Sequence, residues 1–333
     1  MLLRPCLLLA FLILGVAVLA ASTALAAQPF HAGFLRLEAP GEQAVPVAAW
    51  YPTLAPEQDW NAGLLDMRSA RDAPVEPGRY PVVVLSHGSR GSELGHRDWA
   101  EHLARNGFIV VAPRYLGDSF DQPEGRGSDV QLVGRPWQAV AALDAVLSDP
   151  RLKESANPKR IGAMGFSAGG YTTLVLAGAV PDFSLWALYC KEHPGDREFC
   201  DPDVTLPRIT RPGWKPPRDE RVKAAVVFAP VGIVFDAAGL AGVRGPVRVY
   251  SASDDRVTVS AHNADAVSRM LPGRVEREQV PGGHFVFVPP CPPELTKSRP
   301  DVCRDSEGVN RKAIHEKISS EILEFFQRNL PEE

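Results

Sequence analysis

The sequence predicts an α/β protein with a mostly parallel central sheet and helices on both faces. Three observations carry this expectation. Short valine-rich runs such as Tyr80 to Ser86 (YPVVVLS) are apolar throughout, the pattern of a strand buried on both faces. Between them lie stretches of helical spacing such as Asp98 to Asn106 (DWAEHLARN), which ends at Gly107, a natural helix stop. The two kinds of segment alternate, the rhythm of parallel strands joined by crossover helices.

The first residues stand outside that rhythm. Arg4, the apolar run Leu7 to Ala20 and the small residues Ala24-Leu25-Ala26 read as an export signal, with cleavage after Ala26. The expected mature protein is therefore periplasmic or secreted, has no stable membrane anchor and has lost Cys6. Residues 27–333 are expected to form one domain, with 45% hydrophobic residues to build a core. The net charge of −4 comes from interspersed acids and bases without a basic block, which argues against nucleic acid or an anionic membrane as a partner.

Two strands are expected at Gly33 to Glu38 and Val45 to Tyr51, then an irregular stretch carrying Trp60 and Met67 to Pro77. After the strand at Tyr80 to Ser86 and the helix at Asp98 to Asn106 come a strand at Phe108 to Ala112, a helix at Val130 to Leu147, a strand at Arg160 to Met164 and a helix at Ala168 to Ala179. Strands at Val222 to Ala229 and Val247 to Ser251, a helix at Ala261 to Met270, a strand at Val275 to Gln279 and a helix from about Asn310 to Leu330 complete the series. Pro181 to Arg218 interrupts it with a proline-rich insert bearing Phe183, Trp186, Tyr189, Phe199 and Trp214. It reads equally as a cap over a pocket or as a surface excursion with a small core of its own.

The four remaining cysteines suit an exported protein. Cys190 and Cys200, and Cys291 and Cys303, are close in sequence and lie in irregular, proline-rich stretches, so two local disulfides are the favoured pairing of the three possible. Each would contribute about 3 kcal/mol. No His-x-His or Cys-x-x-Cys spacing accompanies them, and neither metal nor organic cofactor is expected.

Ligands in parallel sheets bind at the carboxyl ends of strands, so chemistry is sought in the loops that follow them. One such loop reads GFSAGG, where small residues around Ser167 would allow the sharp strand-to-helix turn that exposes a nucleophilic hydroxyl. A serine needs a base, and the base a third group to orient it. His284, in the glycine-rich loop PGGHF, is the candidate base, and SDDRVTV offers the acid. Asp255 is preferred because Val257 then occupies an apolar position in the motif; Asp254 is the runner-up. The oxyanion formed during attack would be held by the backbone N–H groups of Ala168, next to the serine, and Ser89, in the loop SHGSRG. His87 belongs to that loop and is not expected to be the base.

The motifs SHGSRG, GFSAGG, DDRVTV and GGHF resemble those of the α/β-hydrolase superfamily. Their layout is similar to a secreted dienelactone-hydrolase-like group that includes platelet-activating-factor acetylhydrolase relatives. VAAWYP, HLARNGFIVVAP, RPWQAVAALDAVL and the tail CRDSEGVNRKAIHEKISSEILEFF add to the likeness, which runs from about residue 30 to 330. It implies an α/β-hydrolase fold and hydrolysis of a small-molecule ester with small to medium acyl groups through an acyl-enzyme. True dienelactone hydrolases use a cysteine where this chain has Ser167, so their lactone activity does not carry over. A peptidase or amidase of the same fold is the alternative. A binding protein on a hydrolase scaffold is a third reading, disfavoured because no triad member or elbow glycine is missing.

Overall fold

In the computed structural model, which describes residues 30–201, 209–210 and 214–332, the chain opens with the antiparallel pair β1 (His31–Ala39) and β2 (Val45–Thr53). The expected export signal lies outside the described residues, as do parts of the insert. A hairpin follows, β3 (Gln58–Ala62) and β4 (Leu65–Arg71), then β5 (Tyr80–Ser86), β6 (Ile109–Pro113), β7 (Ala156–Phe166), β8 (Val222–Phe228), β9 (Val247–Ala252) and β10 (Val275–Val280). Across the sheet the order is β10-β9-β8-β7-β5-β6-β2-β1-β4-β3. All neighbours from β10 to β6 are parallel; β2 turns antiparallel against β6.

The connecting helices are α1 (Arg97–Arg105), α2 (Arg135–Ser148), α3 (Ala168–Leu176), α4 (Ser184–Glu192), α5 (Arg197–Cys200), α6 (Ala237–Leu240), α7 (Ala264–Met270), α8 (Pro293–Ser298), α9 (Pro300–Cys303) and α10 (Arg311–Asn329). Alternate residues of one strand serve opposite faces of the sheet, as its period of two requires. Val83 and Leu85 of β5 pack in the core layer that holds Trp99 of α1 and Ile318, Ile322 and Phe326 of α10. Val82 and Val84 pack on the other side with Ala139, Leu143 and Val146 of α2, while α3 and α7 cover β8 and β9 on a third cluster.

The expected irregular stretch around Trp60 is corrected to the hairpin β3–β4. Most of its residues are exposed or half-buried, so no apolar alternation marks it in the sequence. It is held by tertiary contacts instead: Met67 is buried, and the Trp60 ring lies 5.3 Å from that of Phe34. Two expected helices also begin differently. A single π-turn, Val130–Gly134, precedes α2, and a 3₁₀ turn, Ser260–His262, precedes α7. Among the described residues no helix is long and apolar enough to cross a membrane.

Candidate active site

Ser167 stands between β7 and α3 with φ 57° and ψ −118°, a conformation costly for any residue with a side chain. Its backbone is clamped: its N–H donates to the Phe228 carbonyl at 2.8 Å and its own carbonyl accepts from Val231 at 3.1 Å. The flanking glycines answer to crowding. A Cβ on Gly165 would come within 2.3 Å of the Gly169 carbonyl oxygen, and one on Gly169 within 2.0 Å of that of Ser86, so strand and helix approach this closely only without side chains there.

His284 begins a short turn, His284–Phe287, after β10, and Asp255 follows β9. The His284 Nε2 lies 3.0 Å from the Ser167 Oγ, and its Nδ1 lies 2.8 Å from the Asp255 Oδ2. All three residues are buried. The other Asp255 oxygen accepts the backbone N–H groups of Val257 and Thr258 at 2.9 and 2.8 Å, which fixes the carboxylate plane. The Thr258 hydroxyl is 2.9 Å from Asp255 Oδ2 and 3.2 Å from His284 Nδ1, beside their contact. Asp254 points away; its half-exposed carboxylate pairs with Arg256 at 3.3 Å. Ahead of His284, Gly282 takes φ 120°, a left-handed value that suits glycine.

The loop after β5 lies against the serine from the other side. Ala168 is the first residue of α3, so its N–H has no partner within the helix and faces outward at the positive end of the helix dipole. The Ser89 hydroxyl donates to Asp118 Oδ1 at 2.6 Å, and the Arg90 N–H reaches the same oxygen at 3.3 Å. Asp118 in turn accepts from Gln131 at 2.8 Å and from Arg135 at 2.6 Å in a wholly buried ion pair. Arg135 also donates to the His87 carbonyl and stacks over the Tyr115 ring at 4.0 Å. His87 accepts the Tyr115 N–H on Nε2 at 3.2 Å and therefore carries its proton on Nδ1, 2.7 Å from the Gly88 carbonyl. Burial, and then the Arg135 charge, hold it well below the usual imidazole range, so it is a neutral strut of this loop.

A pocket opens over Ser167 with a free volume of about 40 Å³. Ser89, Gln131, Leu132, Ala168 and Tyr171 line it from the sheet side, and Trp186, Glu198 and Phe199 from the insert. The described part of the insert thus contributes a wall of this pocket. Cys190 is joined to Cys200, tying α4 to α5 behind that wall, and Glu198 pairs with Arg126 across the opening. Cys291 is joined to Cys303 in the tail. Among the described residues, no three His, Cys, Asp or Glu side chains are grouped to hold a metal ion.

Over 91% of its length this chain superposes on a ferulic acid esterase from Streptomyces cinnamoneus, with a TM-score of 0.62, 18% identity and 90% of that chain covered. The chain has an α/β-hydrolase fold. Residues 71–188 match the family described as Chlorophyllase. A cutinase, est1 of Thermobifida alba, is 32% identical over 111 residues, which cover 33% of this chain and 34% of that protein. A putative carboxymethylenebutenolidase of a Synechocystis species is 28% identical over 114 residues, 32% of this chain and 46% of its own length. The match spans about a third to a half of these relatives.

Several residues of the site carry no motif of their own. Asp118, Gln131 and Arg135 lie in one stretch of the chain, but only the fold sets them together beside Ser89. Thr258 lies within DDRVTV, where its hydroxyl is the signal available.

Proposed function

We propose that the protein is a serine hydrolase that cleaves carboxylic esters of small to medium acyl groups through a covalent acyl-enzyme. The observation that carries this reading is the unbroken contact series from Asp255 through His284 to Ser167, with Ser89 and Ala168 lining the pocket over the serine. Ser167 Oγ attacks the ester carbonyl carbon while His284 Nε2 takes its proton, and the electron pair moves to the carbonyl oxygen, held by the N–H groups of Ser89 and Ala168. The carbonyl re-forms as the bond to the alcohol oxygen breaks, and His284 returns the proton to that leaving oxygen. Water then repeats the sequence on the acyl-enzyme, releasing the acid and restoring Ser167. Asp255 accepts the hydrogen bond of the Nδ1–H throughout and stabilises the imidazolium.

Esters are preferred over amides because the names of the similar proteins, a cutinase and a ferulic acid esterase, are those of ester hydrolases. The serine-dependent, dienelactone-hydrolase-like group is the nearest fit by motif. The two disulfides suit the oxidising compartment that the export signal implies. A fluorophosphonate probe should label Ser167 alone, and Ser167→Ala should lower p-nitrophenyl acetate turnover by about 10⁴. Labelling elsewhere, or faster cleavage of a matched anilide than of the ester, would overturn the assignment.

A further inference from the structure

Behind the catalytic turn sits a second histidine–aspartate pair for which the proposed chemistry has no use. His315 of α10 is buried, 4% exposed. Its Nδ1 meets Asp98 Oδ2 of α1 at 2.5 Å, and its Nε2 meets the Val286 carbonyl at 2.9 Å. A carbonyl oxygen can only accept, so Nε2 carries a proton. Burial pushes the Asp98 carboxyl upward, but the charge and hydrogen bond of His315 outweigh it and hold the group below the usual range. Both ring nitrogens of His315 are thus engaged, one by Asp98 and one by the Val286 carbonyl.

The Trp99 ring stacks on that of His315, with centroids 5.1 Å apart and planes 16° apart. His96 also stacks on Trp99, 5.1 Å away and 6° from parallel. Val286 belongs to the turn that begins at His284, so an imidazole from outside the turn grips its backbone. Phe166 closes the set, its ring 5.5 Å from His96 and 4.7 Å from His284.

We propose that His315, oriented by its hydrogen bond with Asp98, is a positioning residue for the base: by holding the Val286 carbonyl it fixes the turn that aims His284 at Ser167. The inference rests on the serine-hydrolase reading. A turn displaced by a fraction of an ångström misaligns proton transfer while leaving the substrate's binding surfaces in place.

The test compares wild type, Ser167→Ala, His315→Phe, His315→Ala and His315→Gln on p-nitrophenyl acetate. His315→Phe should lower kcat by about 10- to 100-fold with KM unchanged, and His315→Gln, whose amide can still donate to Val286, should recover part of the loss. If Ser167→Ala abolishes turnover but His315→Phe keeps wild-type kcat, the positioning role is refuted and the hydrolase reading stands. If the wild type itself is inert towards esters and the fluorophosphonate probe, the hydrolase reading falls first. Should His315→Phe fail to fold, the other two variants decide: a glutamine variant no better than His315→Ala overturns the proposal.

Discussion

Asp254 and Asp255 are adjacent and chemically identical, yet the fold gives them opposite surroundings. One carboxylate is half-exposed beside Arg256; the other is buried against His284 and held by two backbone N–H groups. Asp255→Asn should therefore lower kcat by about 10⁴, because an amide in that place favours the wrong imidazole tautomer, whereas Asp254→Asn should change it by no more than a few-fold. Steady-state kinetics on one ester check both, and equal losses would mean that Asp255 does not orient the base. The sequence could rank the two aspartates because an apolar residue, Val257, sits two places after Asp255. It could not reveal Asp118, whose importance comes from the company of Arg135, Gln131 and Ser89 rather than from any neighbour in the chain.

Among the elements, those with an apolar period were legible and those without one were not. Strands β5, β6 and β9 and the later residues of β7 and β8 are buried almost throughout and announce themselves in the sequence, whereas β3 and β4 are held by Trp60 and Met67 on a mostly polar hairpin and do not. The insert is intermediate: its aromatics and cysteines marked it as structured, but only the fold brings Trp186 and Phe199 to the pocket. Trp186 is buried, its ring edge-on to Phe199 and its N–H donating to the Phe199 carbonyl at 2.7 Å. Trp186→Ala should widen the pocket and raise kcat/KM for longer acyl chains relative to acetate, at a stability cost of about 3 kcal/mol. A series of p-nitrophenyl esters from acetate to octanoate checks it, and an unchanged preference would mean that the acyl group lies elsewhere.

On the scale of the molecule, buried histidines couple stability to acidity. Burial lowers His96 from 6.5 to about 4, whereas the unfolded chain takes up that proton near its ordinary value. Between those values the unfolded state binds the proton and the folded state does not, so this contribution is intact above about pH 6.5. It falls by about 3 kcal/mol as the pH drops to about 4. In guanidinium unfolding at pH 7 and 4.5, His96→Gln should lose less stability on acidification than the wild type; equal losses would refute the assignment. The sheet order has a consequence for the timing of activity. From β7 outward, β8, β9 and β10 are added in the order in which they occur in the chain. The serine is thus synthesised well before the acid, and the histidine and the α10 residue that braces its turn come later still. Under the proposed chemistry, a nascent chain displays its nucleophile long before it owns a base, and the growing polypeptide stays inert towards esters until its final segments have folded into place.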